Sequence, residues 1–141
     1  MNKERVLVTG GAGYLGSILV PALLADGYHV TVLENFYYRQ NSLLECCANP
    51  DFDVIWGDCR NEELLKTLLP KADIIIPLAA MVGVPVSNRD RIATTTVNFG
   101  AIKSIIALRS RSQKLLFPTT NSGYGRSEEH TSELQSRSEI V

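Results

Sequence analysis

The stretch Thr9-Gly10-Gly11-Ala12-Gly13-Tyr14-Leu15-Gly16 holds the densest chemistry in this chain. It satisfies Gly-x-Gly-x-x-Gly through Gly11, Gly13 and Gly16, and Thr-Gly-x-x-Gly-x-x-Gly through Thr9, Gly10, Gly13 and Gly16. The first glycine allows a tight turn off a strand, the middle one lets backbone approach a pyrophosphate, and the last lets a helix pack closely on a sheet. A helix that opens there turns unpaired N–H groups and the positive end of its dipole toward phosphates. Glycine-rich turns also serve geometry alone, so the surroundings decide. Glu34 lies about twenty residues beyond the glycines, where an acid accepts hydrogen bonds from adenosine ribose hydroxyls. A carboxylate there repels a 2′-phosphate and favours NAD over NADP. Arg39 is within reach of a 2′-phosphate and keeps NADP open, and a solvated acid at a strand end is the plainer alternative for Glu34. Further on, Thr119, Thr120, Asn121 and Ser122 form a polar cluster just past a strand-like run, where open α/β sheets keep their ligands. The same residues suit a hydroxyl-rich turn that bonds its own backbone.

The elements that would position these residues alternate in type. Arg5 to Thr9 (RVLVT) reads as a strand buried on both faces. Leu15, Ile18, Leu19, Ala22 and Leu23 stand at helical spacing over about Tyr14 to Ala25, with Pro21 a local interruption. His29 to Leu33 predicts a second strand, Ser42 to Ala48 a short helix broken by Asn49-Pro50, and Phe52 to Trp56 a third strand. Asn61 to Leu69 predicts a helix with Asn61 as N-cap and Glu62 and Glu63 in its first turn. Asp73 to Leu78 predicts a fourth strand with Pro77 near its end, since proline cannot donate to a ladder. A loop with Gly83 and Pro85, a helix from about Arg91 to Ser110 and a fifth strand from Lys114 to Thr119 complete the pattern. Strands joined by helical crossovers imply an α/β fold, a doubly wound, Rossmann-type parallel sheet.

Composition narrows the field. The 141 residues suit one domain, and 45% hydrophobic content supplies a packed core. A net charge of −1 with 21% charged residues gives no footprint for nucleic acid or an acidic membrane surface. Met1 to Arg5 runs straight into a strand with no stretch of signal-peptide character, and no run approaches a membrane span. Cys46, Cys47 and Cys59 lack metal-ligand spacing, and adjacent Cys46 and Cys47 read as small apolar fillers on a helix. A reduced, cytoplasmic protein is expected.

The motif Thr9 to Gly16 recurs here with Glu34-Asn35, Gly57-Asp58, Leu78-Ala79-Ala80, Val97-Asn98 and Thr119 to Gly125 (TTNSGYG), in that order and spacing. Together these resemble the extended short-chain dehydrogenase/reductase superfamily, and more narrowly its NAD-dependent epimerase/dehydratases acting on nucleotide sugars. The resemblance covers residues 5 to 125. It implies NAD as cofactor, contacted by Gly10, Gly11, Gly13, Tyr14, Leu15, Gly16, Glu34 and Asn35. It also implies that Asp58 holds the adenine amino group with Cys59 beside it, and that Leu78, Ala79 and Ala80 lie along the cofactor. Asn98 would support the nicotinamide-side loop, and Thr120 would be the active-site hydroxyl that bonds the sugar. The substrate implied is a nucleotide sugar, and the full-length protein would be a homodimer. The general base of that family is a Tyr with a Lys four residues on. Tyr14, Tyr28, Tyr37, Tyr38 and Tyr124 are followed at that distance by Ile18, Val32, Asn41, Ser42 and Glu128, so the pair is absent. A non-catalytic NAD(P)-binding or sensing module, and a flavin- or NADP-linked reductase, are the competing classes.

From Arg126 the chain turns polar, with Leu134, Ile140 and Val141 its only aliphatic residues. Arg126 to Ser136 (RSEEHTSELQS) matches, codon by codon, the in-frame translation of a common sequencing-library adapter. Residues 1–125 are therefore expected to form the NAD-binding domain, incomplete on its C-terminal side, and 126–141 a disordered, non-native tail.

Overall fold

The computed structural model describes residues 3–82 and 90–119. The loop with Gly83 and Pro85, Thr120 and the 126–141 tail lie outside the described residues. Five parallel strands stand in the order β3-β2-β1-β4-β5: β1 (Arg5–Thr9), β2 (His29–Glu34), β3 (Phe52–Trp56), β4 (Ile74–Pro77) and β5 (Lys114–Leu115). β1 lies at the centre, with Thr9 opposite Leu33 on one side and Pro77 on the other.

Strand alternation divides the apolar residues between two faces. Val6, Val8, Val30, Val32, Ile74 and Ile76 fill one face, under α1 (Gly16–Ala25); Leu7, Leu33 and Ile75 fill the other, where they meet Leu65, Leu69, Ala101 and Ile105. Those last four come from α2 (Glu62–Leu68), the 3₁₀ turn Leu69–Lys71 and α4 (Ala101–Leu108). Such double cover explains why β1 and β4 read as continuous apolar runs rather than alternating ones. α2 starts where the sequence predicts: the Asn61 side chain accepts the Leu64 amide, with Glu62 and Glu63 in the first turn.

Four sequence expectations are corrected. α1 begins at Gly16, and its stripe is rotated: Leu15 and Ile18 are exposed, while Val20 is fully buried with Leu19, Leu23 and Leu24 packed beside it. An almost uniformly apolar helix leaves the sequence no contrast from which to choose its inner face. The helix predicted over Ser42 to Ala48 is a 3₁₀ turn, Leu44–Ala48; Cys46 is buried in the core but Cys47 is exposed, so only one of the pair is a filler. β5 pairs only through Ile74↔Lys114 and Ile75↔Leu115, shorter than the predicted Lys114 to Thr119, with Pro118 among the residues beyond it. The single helix predicted from Arg91 is three pieces: α3 (Arg91–Thr95), capped by Asp90, then a π turn Thr96–Gly100, then α4.

Candidate functional site

The chain reverses its winding between β1 and β4, and the carboxyl ends of those strands form the crevice where such sheets take ligands. The loop after β1 is fixed first by Gly10, whose φ of 72° is the left-handed conformation that glycine tolerates best. Its amide donates to the Leu33 carbonyl at 2.9 Å, and a Cβ there would stand 2.5 Å from the Ala79 Cα. Across the crevice the Leu78 amide donates to the Thr9 carbonyl at 2.8 Å and the Ala79 amide to the buried Thr9 Oγ1 at 3.4 Å. Gly16 is tight for a reason the motif does not give: its Cβ would lie 2.2 Å from the Gly11 carbonyl oxygen, so it closes the helix onto its own loop rather than onto the sheet. A Cβ on Gly13 would meet only the Gly10 carbonyl oxygen, at 3.3 Å, so its outer side is open.

Next in the chain comes a bare helix end. α1 has no side-chain N-cap, and among the described residues the amides of Tyr14 and Leu15 donate to no protein acceptor. Unpaired amides at a helix N-terminus suit an anion. The Tyr14 side chain is 90% exposed and contributes no wall.

Glu34 is one of two buried polar residues in the described chain, with Thr9. Its Oε2 accepts the Ala12 amide at 3.1 Å, and its Oε1 accepts the Asn35 and Phe36 amides at 3.0 Å each. The Asn35 side chain is taken up locally, accepting the Tyr37 amide at 3.0 Å, and the Asn35 backbone carbonyl accepts Trp56 Nε1 at 3.3 Å. Ser42 Oγ donates to the Ala12 carbonyl at 2.8 Å, a second strut on the glycine loop that nothing in the motif foretells.

After β3, Gly57 returns its amide to the Glu34 carbonyl at 3.0 Å. Asp58 is gripped by Arg60, whose Nε lies 2.9 and 3.1 Å from its two oxygens and whose Nη2 lies 2.5 Å from Oδ2. Hydrogen bonds from the Arg60 side chain, above all, hold the Asp58 carboxyl below the usual carboxylate range. Cys59 is buried, and burial followed by the Asp58 charge pushes its thiol up to about 11. On the far side Asn98, in the π turn, accepts the Met81 amide at 2.7 Å and donates to the Met81 carbonyl at 2.9 Å. Leu78 and Ala79 pack against the two cores and Ala80 is exposed.

The fold thus gathers the glycine loop, Glu34, Leu78-Ala79 and Asn98 at one edge of the sheet; Thr120 lies outside the described residues. Sequence reasoning missed Arg60, Ser42 and the Met81 backbone. Arg60, two residues past an acid, was the one with a readable signal. A cleft of about 1110 Å³ lies at the opposite end of the sheet, by the amino ends of the strands, lined by Arg5, His29, Asp51, Asp73 and Lys114. Its charges are largely paired, as Lys3 with Asp51 and Lys114 with Glu4. Size is therefore a poorer guide than unpaired amides here. No group of three or more metal-ligating side chains occurs among the described residues, and no helix among them is long and apolar enough to cross a membrane.

A glycine loop with open amides, an acid ending β2 and a switch point between β1 and β4 define a dinucleotide-binding domain of the Rossmann type. The chain belongs to the NAD dependent epimerase/dehydratase family, whose model matches residues 6–139. It is 30% identical over 126 residues to a UDP-N-acetyl-alpha-D-glucosaminuronate decarboxylase of Bacillus cytotoxicus, covering 88% of this chain and 39% of that protein. It is likewise 30% identical over 131 residues to UDP-glucuronic acid decarboxylase 1 of Danio rerio, covering 92% and 30%. The chain therefore spans between 30% and 39% of these relatives' length. Among solved structures, a double mutant of the dTDP-glucose 4,6-dehydratase of Streptomyces venezuelae with NAD bound superimposes with a TM-score of 0.80 at 31% identity, covering 91% of this chain and 42% of that one. A UDP-glucose 4-epimerase from Brucella ovis in complex with NAD gives 0.74 at 27% identity, covering 89% and 38%.

Proposed function

We propose that this chain is the NAD-binding portion of an oxidoreductase that acts on a nucleotide sugar by epimerisation or dehydration. The observation that carries the reading is the open Gly13 beside the unpaired Tyr14 and Leu15 amides, with Glu34 fixed to the same loop. NAD is the cofactor of the family, and when bound it supplies a reversible hydride acceptor. The Gly10–Gly16 loop would hold its pyrophosphate, and Glu34 with the Asn35 turn its adenosine ribose. Asp58 and Cys59 would hold its adenine, and Leu78, Ala79 and Ala80 would line its path. Asn98 fixes the Met81 backbone and so the loop after β4. Thr120 would hydrogen-bond the sugar hydroxyl. The relatives' nucleotide-sugar names support the substrate class.

Because no tyrosine here has a lysine four residues on, the chain alone is expected to bind without turnover. A positioned acid–base group supplies about 10² to 10⁴ in rate. The same absence favours a second reading, a non-catalytic NAD(P)-binding module. Gene sequence continuing past Gly125 into a Tyr-x-x-x-Lys motif selects the enzyme. We read residues 126–141 as foreign to the domain. The family match runs across them to residue 139, so deleting 126–141 decides: unchanged melting supports the reading and lost stability refutes it. We further place the protein in the cytoplasm, where its thiols stay reduced, and read the full-length form as a homodimer. Exposed Ile92 on α3, Phe99 in the π turn and Ile106 on α4 support an apolar contact.

Calorimetric titration with NAD and NADP tests the central claim. Tighter binding of NAD is expected, and tighter NADP binding overturns it.

A further inference from the structure

The loops after β3 and β4 are both moored to the π turn at Thr96–Gly100. Asn98 holds the Met81 backbone from its side, while Arg60 Nη1 donates to Thr96 Oγ1 at 3.1 Å. The rest of the Arg60 guanidinium lies along Asp58, and the Arg60 amide adds a bond to Asp58 Oδ1 at 2.8 Å. A carboxylate offers about four lone-pair sites. Arg60 brings three N–H groups to them, its amide on Oδ1, Nη2 on Oδ2 and Nε shared between both oxygens, so about one acceptor site stays free, in a plane the guanidinium dictates. The Asp58 side chain is 34% exposed and has no other partner among the described residues, so nothing else fixes that plane.

We propose that Arg60 is a positioning residue: it orients the Asp58 carboxylate for the exocyclic amino group of adenine and couples that contact to the π turn that carries Asn98. This rests on the reading of Asp58 as the adenine contact. A carboxylate held in one orientation before the ligand arrives loses less on binding and discriminates more sharply between a donor and an acceptor at that point. Lysine in place of Arg60 would keep the charge and lose the fork that sets the plane.

The test compares NAD with nicotinamide hypoxanthine dinucleotide, in which an oxo group replaces the adenine amino group. Binding to the full chain and to the Asp58→Asn, Arg60→Lys, Arg60→Gln and Thr96→Val variants is measured by calorimetry. The unaltered chain should prefer NAD by about tenfold or more, since a wrong partner leaves the site's polar group unpaired. Asp58→Asn and both Arg60 variants should lose most of that preference, and Thr96→Val should lose part of it. If Arg60→Gln fails to fold, Arg60→Lys and Thr96→Val carry the measurement. Should Asp58→Asn lose the preference while the Arg60 variants keep it, the inference falls and the Asp58 reading stands. If the unaltered chain binds NAD without discriminating, the Asp58 reading falls and takes the inference with it.

Discussion

Glu34 Oε2 accepts the Ala12 amide at 3.1 Å, so the acid that ends β2 is bolted to the glycine loop that follows β1. Its other oxygen is engaged by the Asn35 and Phe36 amides, which makes Glu34 a structural residue as well as a candidate ribose contact. Glu34→Ala should therefore cost about 1–3 kcal/mol of stability through amides left without an acceptor, and weaken NAD while sparing NADP. Thermal melts with and without each nucleotide separate the two losses. Undiminished NAD affinity in a folded Glu34→Ala protein removes the ribose assignment.

Gly10 and Gly13 should answer differently to added bulk. Gly10→Ala forces a side chain into a φ of 72° and against the Ala79 backbone, a cost of about 2–5 kcal/mol from strain and overpacking together. Gly13 is not in the positive-φ region and a Cβ there meets one atom at 3.3 Å, so Gly13→Val should keep its melting temperature and lose NAD. Circular dichroism and calorimetry read the pair. NAD binding retained by Gly13→Val reduces the loop to a turn.

Asn98→Leu removes both partners of the Met81 backbone and leaves its amide and carbonyl to find water. A loss of about 1–3 kcal/mol is expected, with faster hydrogen exchange at Met81. Wild-type exchange there in the variant excludes the clamp.

The cysteines give a prediction in pH. The unfolded Cys59 thiol ionises near its ordinary value and the folded one only at about 11. Between those values the unfolded chain has lost a proton that the folded chain keeps, so stability falls as pH rises through that window. Asp58 has the opposite sign: its folded carboxyl is depressed, so its contribution is present above the ordinary carboxylate range and is lost on acidification. Urea melts across alkaline pH, with Cys59→Ala as reference, read the first. At mildly alkaline pH exposed Cys47 should react with Ellman's reagent well before Cys46 and Cys59. Equal rates for all three contradict the burial.

The sequence made the fold legible where burial is two-sided and local signals agree. Val6, Leu7 and Val8 admit no surface position, and Asn61 marks the start of α2 by its own side chain. It was silent where the outcome depends on partners far along the chain. Nothing near Thr96 announces a π turn, because its rationale is the reach of Asn98 to Met81, 17 residues earlier. The inner face of α1 was unreadable because Ile18 and Val20 are equally apolar, and only the sheet chooses between them. Within the site, Glu34 was legible as an acid at the right distance from the glycines. Its grip on Ala12 was not, since motif spacing records types and not contacts.

The π turn also sets a rotational phase. An α-helix advances about 100° per residue, and a π turn absorbs a residue that a regular α-helix would have to pass on as rotation. Ala101 and Ile105 of α4 meet the core while Asn98 bonds the loop after β4, so the phase of the turn at Thr96–Gly100 is fixed from both ends. One residue deleted between Thr96 and Gly100 would make a more regular helix and swing either the core face or Asn98 out of alignment. Insertions and deletions, rather than substitutions, are the changes this segment should tolerate least.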